Sequence, residues 1–126
     1  MAYQRLREAP SERFDAPSLS FDFHAEAEAI RAEPRETRQG HRQKTLFKHD
    51  SRTIALFVME KGGSIRDHSA DGTVTIQPVE GELVVAVDGE DKHLKTGHML
   101  VIAPGVRHEV RASEEAVFVL QVSLGA

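Results

Sequence analysis

The sequence predicts an all-β fold, a sandwich or barrel of short strands, with one short helix and an extended arm in front of it. Three observations carry this expectation. From Lys44 onward apolar residues recur with a period close to two. Turn-forming pairs interrupt that pattern at Gly62-Gly63, Asp71-Gly72, Glu80-Gly81, Asp88-Gly89 and Pro104-Gly105, and many short strands with regular turns indicate a sandwich or barrel. Before residue 44 the chain is polar and is broken by Pro10, Pro17 and Pro34. The 126 residues fit one domain. At that size folding buries roughly two thirds of the extended surface, so a core needs no covalent staple. The division expected is an arm and helix over 1–43 and a barrel over 44–126.

The elements follow in order. Residues 1–18 hold few apolar anchors and read as an extended arm. A helix is expected over about 22–33, with Ser20 or Asp22 as its cap, glutamates near its positive end and Pro34 as its stop. Phe23, Ala27 and Ile30 give it a thin apolar stripe for docking on the outside of the barrel. Thr53 to Glu60 is almost continuously apolar, as a strand covered on both faces would be. Further strands are expected at Ser64 to His68, Thr73 to Gln77, Leu83 to Val87, around His93-Leu94, at Met99 to Ile102, His108 to Arg111 and Ala116 to Ser123. Asp88-Gly89 is the strongest hairpin signal among the turns.

Composition excludes several chemistries. Cysteine is absent, which removes disulfides, thiolate–zinc sites and cysteine nucleophiles and suits a reducing cytoplasm. Tryptophan is absent, Tyr3 is the single tyrosine and the formal charge is −4. Stacking platforms and a basic surface for nucleic acid are therefore lacking, and no nucleic-acid partner is expected. Arg38, His41, Arg42, Lys44 and Lys48 form a modest basic stretch that reads as a solvated face. No apolar run reaches the roughly 20 residues of a membrane span, and the first ten residues carry no apolar signal core. A cytoplasmic protein without a membrane partner is the expectation. Serine-nucleophile motifs, phosphate loops and dinucleotide fingerprints are also missing.

What remains is a pair of histidines framed by glycines. Gly62, His68 and Gly81 form one set, and Gly97, Gly105 and His108 form the other. Their spacing resembles the two signature motifs of the cupins, small jelly-roll barrels also described as double-stranded β-helices. At the places of the first motif's glycine, two histidines, glutamate and closing glycine stand Gly62, His68, Ala70, Val74 and Gly81. At the places of the second motif's glycine, proline, glycine, histidine and asparagine stand Gly97, Ala103, Gly105, His108 and Ala112. The glycines suit the positive φ that strand reversals require.

The resemblance implies a jelly-roll barrel whose two histidines line a pocket. In metal-dependent cupins the first motif's histidines and glutamate and the second motif's histidine hold the ion. This chain keeps His68 and His108 and has Ala70 and Val74 at the other two places. Catalytic zinc usually takes three protein ligands, and non-haem iron two histidines with a carboxylate. A divalent transition metal would thus need a recruit such as His98 or His93, or waters and substrate atoms, to complete its shell. No cofactor is expected with certainty. Strand alternation places Arg66, His68 and Ala70 on one side and His108, Val110 and Ala112 on one side. Arg66 then either meets an anionic group of a ligand or is solvated at the barrel mouth. Val74, Ile76, Leu100, Ile102 and Phe118 are pocket candidates that also fit plain core. His24, His41 and His49 are expected at the surface.

Three functional readings follow. The first is a small-molecule-binding cupin whose pocket holds an organic ligand with weak or no metal. The second is an enzyme: a metal-dependent dioxygenase or isomerase, or a metal-free epimerase-like catalyst with His68 or His108 as general base. The third is a sensory or interaction module that uses the arm and helix. Cupins serve all three roles, so the fold alone does not choose. A homodimer is expected, because jelly-roll sheets have edges that a second copy can cover.

Overall fold

The computed structural model describes residues 17–34 and 36–125; residues 1–16 of the expected arm lie outside them. One helix, α1 (Phe23–Arg31), precedes nine strands: β1 (His41–His49), β2 (Arg52–Met59), β3 (Ser64–His68), β4 (Thr73–Glu80), β5 (Glu82–Val87), β6 (Glu90–Lys95), β7 (Leu100–Ile102), β8 (His108–Arg111) and β9 (Ala116–Ser123). All strand pairs are antiparallel. They form a five-stranded sheet in the order β1-β2-β9-β4-β7 and a four-stranded sheet in the order β3-β8-β5-β6. Apart from the β1–β2 and β5–β6 hairpins, consecutive strands cross between the two sheets, which is the jelly-roll arrangement.

The helix begins where Asp22, in extended conformation, accepts the Ala25 N–H at 3.1 Å, so Asp22 rather than Ser20 is the cap. Its far end is held by Arg42 on β1, whose Nη1 donates to the carbonyls of Ile30 and Glu33, each at 2.8 Å. The Ile30 carbonyl lies in the last turn, where it also accepts the Glu33 N–H at 3.2 Å, and that of Glu33 lies just beyond the helix. Ala27 and Ile30 pack with Leu46, Leu56, Val58, Val117 and Val119 on the outer face of the larger sheet. Lys44 to Glu26 at 2.7 Å and Arg31 to Glu80 at 3.1 Å add ion pairs at the edges of this contact.

Two elements differ from expectation. β1 is a strand although its sequence shows no apolar alternation. By register His41, Gln43 and Thr45 share the inner face with Met59, Phe57 and Ala55, while Arg42 and Lys44 reach the helix from the outer face. Pairing with β2 and the docking of α1 make it a strand, which local pattern could not signal. As a result His41 is half buried beside Phe57, its Nδ1 bonded to the Ser64 carbonyl at 3.1 Å. The second difference is β4, which continues through Pro78 to Glu80. β7 pairs only with Val74 to Ile76, so at Pro78 the strand has a neighbour on one side and the missing N–H breaks no ladder bond.

Between the sheets lies the main core. It is centred on Phe57 and Phe118, whose rings stack in near-parallel fashion 4.8 Å apart, with Met59, Ile76, Leu83, Val85 and Val110 around them. Two glycines show how closely the chain crosses itself at one end of this core. A Cβ on Gly63 would lie 2.2 Å from the Gly40 carbonyl oxygen, so the start of β3 can pass under the start of β1 only without side chains.

Candidate functional site

The two histidines meet because the two motif segments run side by side. At one end Gly62 donates to the Ala112 carbonyl at 2.8 Å and Ala112 to that of Gly63 at 3.0 Å. At the other end His68 on β3 is the register partner of His108 on β8. The Gly105 N–H bonds to the Ala70 carbonyl at 2.8 Å, and the Asp88 N–H to the Arg107 carbonyl at 3.2 Å. The turns after β3, β5 and β7 therefore gather around the same end of the barrel.

Strict alternation does not hold along β3. Ile65 pairs with Val110 and His68 with His108, so a bulge absorbs one residue between them. Ile65 and His68 consequently share the inner face, while Arg66 and Asp67 are turned out and exposed. The expectation that Arg66 and His68 share a side is corrected by this bulge. Arg66 stands in solvent, and Asp67 pairs with Arg107 at 3.0 Å on the outside.

His108 is 1% exposed, the single buried polar or charged residue among the described residues. His68 is partly exposed and packs against it edge to face, ring centroids 4.3 Å apart. Each ring is tied by Nδ1 to a backbone carbonyl: His108 to Val106 at 3.1 Å and His68 to Arg66 at 2.7 Å. A carbonyl only accepts, so both Nδ1 atoms carry the proton, and in the neutral rings both Nε2 atoms present lone pairs. Nε2 of His108 is buried and has no hydrogen-bond partner. Burial, the largest influence, pushes the His108 pKa below its ordinary 6.5; the Val106 carbonyl pulls up, His68 down and Asp67 up.

The surroundings are apolar. Ala70 and Val74, at the remaining family ligand places, pack in or against the core. Val74, Ile76, Ile102 and Phe118 are fully buried and form the packed interior, while Leu100 is partly exposed. Inward-facing side chains become more exposed toward the histidine end: along β9 from Phe118 to Leu120 and Val122, and along β5 from Val85 to Val87. Val106 and Leu100 join them. This graded exposure marks a barrel mouth. Its apolar members Val87, Val106, Leu120 and Val122 were not singled out in the sequence, although the alternation of β5 and β9 carried the signal for three of them.

The residues present do not complete a metal shell. Among the described residues no three histidine, aspartate or glutamate side chains gather closely enough to hold an ion. His98 and His93 are exposed, His98 folding back so that its Nδ1 accepts the Lys95 N–H at 3.2 Å. The carboxylate in the same row as the histidines is Glu90, but Val87 stands between it and His108. Two strand spacings put it about 10 Å away, and it is bonded to Lys92 at 2.8 Å.

Residues 55–123 match the family model described as the cupin domain. Among solved structures, a conserved protein of unknown function from Streptococcus pyogenes is similar over 97% of this chain and 99% of its own, with 20% identity and a TM-score of 0.70. A cupin superfamily protein from Desulfitobacterium hafniense DCB-2 covers 97% of this chain and 100% of its own, with 21% identity and a TM-score of 0.69. The cupin domain of an XRE-family transcriptional regulator from Enterobacter cloacae covers 70% and 100%, with 21% identity and a TM-score of 0.63. Comparison with the curated proteins gives no match. At these identities the likeness is one of fold.

Proposed function

The chain belongs to the cupin-domain family, and on that premise we propose that it binds a small organic ligand at the barrel mouth through His68 and His108. The observation that carries this reading is the buried, unpartnered Nε2 of His108. A polar atom taken from water without a partner costs roughly 1–3 kcal/mol. Folding tolerates that cost where a ligand can relieve it. The partly exposed apolar residues of the mouth supply the mostly apolar surroundings that small-molecule sites use. Nε2 of His108 is cut off from solvent, and the partly exposed His68 ring packs against the imidazole that carries it.

A second reading has an observation of its own. Both histidines donate Nδ1–H to a backbone carbonyl and offer Nε2, the arrangement found behind metal-ligating imidazoles. With only two protein ligands the shell is incomplete, and no catalytic step is derived through an ion. One preparation separates the readings: protein purified without chelator or histidine tag, analysed for elements and then titrated with ligand. The lead reading expects metal-free protein and a ligand-induced rise in melting temperature that His108→Ala abolishes. Near-stoichiometric iron, manganese, nickel, copper or zinc, lost in both His68→Ala and His108→Ala, overturns it in favour of a metal-dependent cupin enzyme.

Homodimerisation belongs to the same proposal. Among the described residues β7 is an edge of the larger sheet, and Met99 just before it and Val101 within it are 53% and 60% exposed. A second copy pairing along that edge would cover both.

A further inference from the structure

We propose that the ligand of the barrel mouth is an uncharged molecule with an apolar body that donates a hydroxyl or N–H hydrogen bond to the histidine pair. This rests on the reading of the mouth as a ligand site and adds the chemical class. With both Nδ1 protons committed to carbonyls, what the neutral rings offer is two acceptors. A carboxylate or phosphate would bring acceptor against acceptor.

Among the described residues no arginine or lysine stands ready to change that. The bulge in β3 turns Arg66 into solvent. Arg107 is paired with Asp67 on the outside, and Lys92 with Glu90. An ammonium ligand fares no better. The one carboxylate in the histidine row already holds Lys92, and an unpaired charge is costly among Val87, Leu100, Val106, Leu120 and Val122. An uncharged donor on an apolar body satisfies the orphan acceptor and the rim together.

The test uses the metal-free full chain and three probes of similar size: phenol, anisole and benzoate. Affinities come from titration calorimetry, and the imidazole nitrogens are followed by ¹⁵N NMR. Phenol is expected to bind at least tenfold tighter than anisole or benzoate, because a site built around a polar contact rejects the analogue that lacks it. The Nε2 resonances should shift with phenol alone. His108→Phe should bring phenol down to the affinity of anisole; should that variant not fold, His68→Leu, at the partly exposed ring, is expected to do the same. Anisole binding as tightly as phenol, with the same histidine signals perturbed, overturns the donor class and leaves the pocket standing. Benzoate binding most tightly does likewise. If none of the three perturbs the histidines, the pocket reading falls together with this inference.

Discussion

At the scale of single residues, His108 makes the barrel sensitive to acid. Its pKa is lowered in the folded state mainly by burial, so between the folded value and the ordinary 6.5 the unfolded chain binds more protons. Stability therefore rises with pH through that window and falls as pH drops below about 6.5. Urea denaturation between pH 5 and 7.5 should show this slope, and His108→Gln should flatten it. An unchanged slope in the variant would assign the acid sensitivity to another group. The presence of both histidines was legible from motif spacing. Their tautomers and the outward turn of Arg66 were not, because both depend on backbone contacts and on a bulge that only β8 imposes on β3.

At the scale of elements, Arg42 ties β1 to the end of α1. Arg42→Ala removes charge-assisted bonds worth about 1.5–3 kcal/mol each when partners are left unpaired. With water able to replace part of that, an overall loss near 2 kcal/mol in chemical denaturation is the expected outcome. The helix is also held along its length by Glu80, which takes His24 in the first turn and Arg31 in the last. Partial burial raises the Glu80 carboxyl, but hydrogen bonds from His24 and Arg31 outweigh it and keep it below the ordinary 4.5. This depressed group stabilises the fold fully above about pH 4.5, and the contribution is lost as pH falls through the folded value. Protection of the α1 amides against exchange should thus fall below pH 4.5 before that of the barrel core, and Glu80→Gln should abolish the difference. A paired test probes the turn before β3. Gly63→Ala meets the Gly40 carbonyl and should cost about 3 kcal/mol. Gly62→Ala has open space and pays only for its positive φ of 79°, about 1–2 kcal/mol. Equal losses would mean that the chain crossing at Gly63 gives way to an added methyl group.

At the scale of the whole molecule, two apolar layers hold the fold: the barrel interior around Phe57 and Phe118, and the outer layer under α1. Phe118→Ala empties the stacked centre and should cost about 3–5 kcal/mol, while Ile30→Ala, at the outer layer, should cost about 2–5 kcal/mol and release α1 preferentially. Sedimentation tests the proposed assembly: Val101→Lys should shift a wild-type dimer toward monomer, and a wild-type monomer at all concentrations removes the β7 interface. Among the described residues no helix is long and apolar enough to cross a membrane.

Taken alone, the sequence determined the β class, eight of the nine strands, the helix with two candidate caps, and the glycine frame of a cupin barrel. Those features are local: a period of two, a turn pair or a capping aspartate is written within a few residues. The tertiary structure decided the rest. It made β1 a strand through its neighbours and set a bulge that separates Arg66 from His68. It also packed Val74, Ile76 and Phe118 into the core and left one imidazole nitrogen buried without a partner. Each of these depends on which distant segment lies alongside, and register and burial arise only when the sheets close on one another.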